Sequence, residues 1–85
     1  MPEVTVYTSG RCSHCERAKG LLERRGVPYE EIRLGPWDIE ERMRLIERTG
    51  RMTVPQIFIG SASIGGFEEL HALDQSGRLA EMLAA

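Results

Sequence analysis

Within its first 34 residues the chain changes hydrophobic period twice, from two to about 3.6 and back. The stretch "EVTVYT" (3–8) alternates apolar and polar residues and is rich in β-branched ones, which predicts a strand. Residues 13–25 then place Cys15, Ala18, Leu21 and Leu22 near one face at helical spacing, with Gly26 as a stop. "PYEEIRL" (28–34) reads as a second strand. Two strands joined by a helix pair in parallel through a right-handed crossover, so this opening commits the chain to an α/β sheet.

The remainder extends that sheet. Asp38 and Glu41 fit a capping box, and Ile39, Met43 and Ile46 form a stripe that predicts a helix ending at Gly50. "PQIFIG" (55–60) is a short apolar strand with Pro55 at its first position, where a missing N–H is tolerated. "SASIG" (61–65) follows at once, which predicts a hairpin turning near Gly60–Ser61. The tail, 67–84, carries Leu70, Leu73, Leu79 and Leu83, interrupted near Gly77, and reads as one or two short helices. The expected order is β-α-β-α-β-β-α, a small α/β sandwich with a four-stranded mixed sheet flanked by helices. With 85 residues and no linker or repeat, 1–85 is expected to form a single domain.

Charge narrows the partners. The net charge of -2 argues against a general nucleic-acid or membrane surface, and no apolar run approaches the roughly 20 residues that cross a bilayer. "MPEVTVYTSG" lacks the basic start, apolar stretch and cleavage site of a signal peptide. The expected compartment is the cytoplasm, where closely spaced cysteines are more often catalytic or metal-binding than structural.

The only two cysteines, Cys12 and Cys15, open the first helix. A structural zinc site needs four ligands. Here His14 and His71 would have to join the cysteines, and His14 lies between them, where it does not easily complete a tetrahedron. A staple over so short a loop would restrict the unfolded chain little. Cys-x-x-Cys beside a βαβ pattern reads instead as a redox pair. Unpaired N–H groups and the dipole at a helix start favour a thiolate on Cys12, with Arg11, Arg17 and Lys19 adding positive charge. Cys15 shares the apolar face and would be the buried resolving thiol.

Four stretches in order, "VYTSGRCSHC", "GVPYEE", "TGRMTVPQIFIG" and "IGGFEELHALD", together resemble the glutaredoxins over nearly the whole length. The likeness is greatest to the small bacterial-type dithiol members, which have the thioredoxin-like fold. The resemblance implies glutathione-dependent thiol–disulfide oxidoreduction, with catalytic Cys12 and Cys15, glutathione as cosubstrate and no tightly bound cofactor. It implies that Pro55 is cis and aims the backbone of Val54 at a glutathione cysteine, strand to strand. Thr53 would line the same groove. Gly65, Gly66, Phe67 and Glu68 would receive the γ-glutamyl end: N–H groups at the helix start suit its carboxylate, and Glu68 its ammonium. Arg42 matches a family position that contacts the glycine carboxylate, with Arg51 as a second candidate. Taken singly, Pro55 could be an edge-strand proline, Gly65 and Gly66 turn glycines, and Glu68 an acid that complements the helix dipole.

The chain departs from the family pattern at three places. Ser13 and His14 replace the commoner Pro-Tyr between the cysteines, so that Ser13 could cap the helix and His14 would be a groove residue. Ser9 stands where many relatives carry lysine, for which Arg11 could compensate. Phe67 is bulky for its position. The implied partners are glutathione and glutathionylated or disulfide-containing proteins, with the chain a monomer. Two rival roles remain: a glutathione-ligated [2Fe–2S] carrier, with Cys12 as the metal ligand in a dimer, and a thioredoxin-reductase-fed electron donor to ribonucleotide reductase.

Overall fold

The computed structural model describes residues 1–84. The elements are β1 (Val4–Ser9), α1 (Ser13–Arg24), β2 (Glu30–Leu34), α2 (Ile39–Thr49), β3 (Gln56–Ile59), β4 (Ala62–Gly65), α3 (Phe67–Gln75) and α4 (Arg78–Ala84). The sheet order is β2-β1-β3-β4. β1 runs parallel to β2, with Val6 opposite Glu31, and antiparallel to β3, with Val6 opposite Ile57. β3 and β4 form the expected hairpin through Gly60 and Ser61, and the tail divides into two helices at Gly77.

Strand alternation sends side chains to two cores. Val4, Val6, Ile57 and Ile59 meet Ala18, Leu21 and Leu22 of α1, Leu70 of α3 and Leu79 of α4 on one face. On the other face Leu34 and Phe58 pack with Leu45 of α2, flanked by Tyr7 and Ile32. The Arg48 guanidinium lies 4.2 Å over the Phe58 ring and closes that smaller core. The inner strands β1 and β3 thus carry α1 and α3 on one side, and the loops leaving one end of the sheet converge.

The second helix differs from the sequence expectation in two ways. Ile39 and Met43 are 61% and 56% exposed, and the only buried residue of α2 is Leu45. The helix is rolled so that Arg42, Leu45 and Thr49 face inward, because the Arg42 guanidinium donates to the carbonyls of Leu34 and Gly35 at the end of β2 (3.2 and 3.0 Å). The Asp38 side chain makes no capping bond to α2. Its carboxylate accepts from the Gly35 N–H at 2.6 Å and tightens the turn before the helix. Gly50 does end α2, in the left-handed conformation (φ 73°), with its N–H on the Ile46 carbonyl.

Candidate active site

Cys12 follows β1 after a tight loop in which Arg11 takes a positive φ of 54°. Its extended backbone makes it the N-cap of α1, and its sulfur accepts the Cys15 N–H at 3.1 Å. The capping role expected of Ser13 therefore falls to the cysteine sulfur itself, and Ser13 is the first helical residue. An acceptor at this position gains from the unpaired N–H groups and the dipole, and gains most when it carries charge. Cys12 and Cys15 form a disulfide with Cα atoms 5.2 Å apart. Cys15 is 1% exposed and packs inward, whereas Cys12 is only partly covered. The two sulfurs thus have distinct surroundings: one reachable, one sheltered.

The Val54–Pro55 bond is cis. The loop it shapes brings the Val54 carbonyl to 3.7 Å from Cys12 Sγ. Pro55 is buried, and its own carbonyl lies 3.5 Å from where a Cβ on Gly66 would sit. A groove of about 280 Å³ runs from this loop to the start of α3. Thr53, Val54 and Pro55 form one wall; Gly66, Phe67 and Glu68 form the other; His14 stands at the cysteine end. The Phe67 ring sits between two imidazoles, edge-on to His14 at 6.3 Å and stacked on His71 at 5.6 Å. The side chain that is bulky for its position is thus held from both sides.

Arg42 and Gly65 are expected groove residues outside this lining; the Arg42 guanidinium lies on the Leu34 and Gly35 carbonyls, in an adjoining depression that it shares with Arg51, Thr53 and Val54. Arg51, the second candidate, takes its place in the lining. The buried Gln56 side chain donates to the Arg51 carbonyl at 3.0 Å and fixes the backbone from which that guanidinium extends. Sequence reasoning missed Glu69. Its Oε1 accepts the Gly66 N–H at 2.7 Å and an Arg51 N–H at 3.3 Å. The signal was present as an acid three residues after the helix-capping position, Gly66-Phe67-Glu68-Glu69.

A second depression of about 440 Å³ lies on the far side of Cys12, lined by Ser9, Arg11, Glu16, Glu31 and Arg33. Lys19, expected to add charge near the thiolate, is held instead by Glu16 at 2.9 Å and Glu31 at 3.2 Å. The Thr8 hydroxyl donates to Glu31 at 2.7 Å, and this bond, with Lys19, holds the Glu31 carboxyl below its ordinary range. Arg11 remains beside Cys12 in the lining. A further depression, about 760 Å³ around Trp37 and Ile39, contains neither cysteine. Among the described residues no three His, Cys, Asp or Glu side chains gather to hold a metal ion, and no helix is long and apolar enough to cross a membrane.

Comparison with known proteins gives one family. The glutaredoxin family model matches residues 4–64. A glutaredoxin of Pseudomonas aeruginosa is 45% identical over 85 residues, covering 100% of both chains. Glutaredoxin 3 of Escherichia coli strain K12 is 43% identical over 83 residues, covering 98% of this chain and 99% of its own. Among solved structures, a buckwheat glutaredoxin–glutathione complex superposes with a TM-score of 0.89 at 29% identity, covering 98% of this chain and 77% of that one. The solution structure of a Brucella melitensis glutaredoxin gives 0.82 at 45% identity, covering 98% and 89%. The family and the cysteine pair at disulfide distance together support thiol–disulfide oxidoreduction. With its thioredoxin-like sheet and its cysteine-capped first helix, the chain belongs to the glutaredoxin family.

Proposed function

We propose that the protein is a glutathione-dependent thiol–disulfide oxidoreductase that reduces protein disulfides and glutathione mixed disulfides. The carrying observation is the Cys12 sulfur, partly exposed on the end of α1 and 3.7 Å from the Val54 carbonyl at the head of the groove. Cys12 thiolate attacks a glutathionylated substrate at the glutathione sulfur; the Cys12–glutathione bond forms and the substrate leaves as a thiolate. A second glutathione attacks that mixed disulfide, releasing oxidised glutathione and restoring Cys12. With a protein disulfide, Cys15 displaces the second substrate thiol and closes the Cys12–Cys15 bond. One glutathione then reopens that bond on Cys12, and a second regenerates the dithiol.

In this reading the two ends of glutathione take different parts of the groove. Val54 pairs main chain to main chain with the glutathione cysteine, and Thr53 and Pro55 shape that edge. The α3 start at Phe67, beside Gly66, takes the γ-glutamyl carboxylate, and Glu68 its ammonium. Arg51, rather than Arg42, takes the glycine carboxylate. The bound glutathione of the buckwheat neighbour supports this reading. Family potentials of about -200 to -230 mV suit reduction by the glutathione pool. One domain, working as a cytoplasmic monomer without a resident cofactor, suffices for the cycle.

The test is NADPH consumption, through glutathione and glutathione reductase, during reduction of a small glutathione mixed disulfide. Cys12→Ser abolishes turnover. Cys15→Ser retains it with the mixed disulfide and loses it with a protein disulfide. Turnover of the wild type only with thioredoxin reductase in place of glutathione defeats the reading and reassigns the protein to reductase-fed electron donors.

A further inference from the structure

Glu69 faces the groove but has no part in the chemistry assigned above. Its Oε1 is shared: the Gly66 N–H at the start of α3 and the Arg51 guanidinium on the opposite wall both donate to it. The carboxylate therefore ties the two walls together. It also sets a negative charge on the cation available for an incoming carboxylate. Gly65 makes this possible. Its φ of 110° favours glycine, and a Cβ there would lie 2.8 Å from Glu69 Oε1 and 3.0 Å from its Cγ. The Gly66 N–H, with Arg51 adding, holds the Glu69 carboxyl below its ordinary range, so the charge is in place at neutral pH. Both partners are about half exposed, at 44% each, so the ion pair adds little to stability and is open to exchange.

We propose that Glu69 is a positioning residue that masks Arg51, lowering the groove's affinity for the terminal carboxylate of glutathione until substrate displaces it. This rests on the glutathione reading above. A substrate carboxylate must break the Arg51–Glu69 pair before it forms its own, so part of its binding energy is used in that exchange. Weakened ground-state capture raises KM and leaves the sulfur chemistry untouched. The device keeps the groove from being held by glutathione itself, which is both reductant and product fragment.

The experiment uses Glu69→Gln, which removes the charge and keeps an oxygen for the Gly66 N–H. With the mixed disulfide of glutathione and cysteamine, its KM falls about two- to fivefold, the range of an exposed ion pair, and kcat is unchanged. The fall is smaller at 0.5 M salt than at low salt. With the mixed disulfide of γ-glutamylcysteine, which lacks the glycine carboxylate, the fall is smaller, limited to the effect of the lost charge on the α3 start where the γ-glutamyl end sits. In an Arg51→Gln background the gain shrinks to that same remainder, and that variant alone no longer distinguishes the two disulfides. This last arm stands even where Glu69→Gln does not fold. An unchanged or raised KM in folded Glu69→Gln overturns the proposal, as does an equal gain with the γ-glutamylcysteine disulfide or without Arg51. Continued discrimination by Arg51→Gln also overturns it. A wild type that fails to turn over the glutathione disulfide defeats the glutathione reading itself, a result distinct from all of these.

Discussion

Single residues decide which parts of this site could be read before the fold was known. Cys12, Thr53, Val54, Pro55, Gly66 and Glu68 lie in loops or at element ends, where residue type and chemistry are directly linked. The positions of Arg42 and Arg51 could not be read that way, because they depend on the roll of α2, which sets the Arg42 guanidinium on the Leu34 and Gly35 carbonyls. Gly65 gives a prediction at this scale. Gly65→Ala meets an unfavourable φ and the folded-back Glu69, so it destabilises by more than about 1 kcal/mol in urea unfolding. Tyr29 gives another. Burial first, and its hydrogen bond to Glu23 second, push its pKa from 10.0 up to about 12. The folded state therefore favours the neutral phenol. That stability is complete below pH 10 and is lost as pH rises through about 12. Tyr29→Phe lacks this alkaline loss, which urea midpoints across pH 9 to 12 would measure.

Elements were legible to the degree that one period governed them. β1, α1 and the β3–β4 hairpin bury the faces their spacing indicates. α2 does not, because apolar periodicity carries no information about an arginine that caps a neighbouring strand. The short α3 is fastened by Leu70, which is fully buried among β1, β3 and α1 residues. Leu70→Ala is expected to cost about 2–5 kcal/mol in denaturant unfolding. Because α3 supplies Gly66 and Phe67, a folded Leu70→Ala protein would also show a raised KM for glutathione disulfides.

At the scale of the whole molecule, three carboxyl groups among the described residues sit below their ordinary values. The Thr8 hydroxyl lowers Glu31, the Gly66 N–H lowers Glu69, and the Arg25 guanidinium lowers Asp74. Such groups add stability that is fully present above their unfolded pKa values, 4.5 for Glu and 3.8 for Asp. That stability is lost as pH falls through the depressed folded values. Urea midpoints are therefore steady from pH 7 to about 5 and drop toward pH 2, and Glu31→Gln flattens part of the drop. The single tryptophan is a poor reporter of that transition. Trp37 is 79% exposed, so its emission is close to that of the unfolded chain, and far-UV circular dichroism is the better probe.

The Cys12 sulfur is both the reacting atom and the cap of α1. Folding and reduction therefore form a closed thermodynamic box. The difference in folding free energy between the dithiol and disulfide forms equals the difference in reduction free energy between the folded and unfolded chains. A thiolate accepts the Cys15 N–H more strongly than a disulfide sulfur does, so the folded helix biases the box toward the reduced side. A substitution anywhere along α1 that strains one form more than the other retunes electron transfer without touching a sulfur atom. Paired melting curves of the two forms would read out that tuning directly.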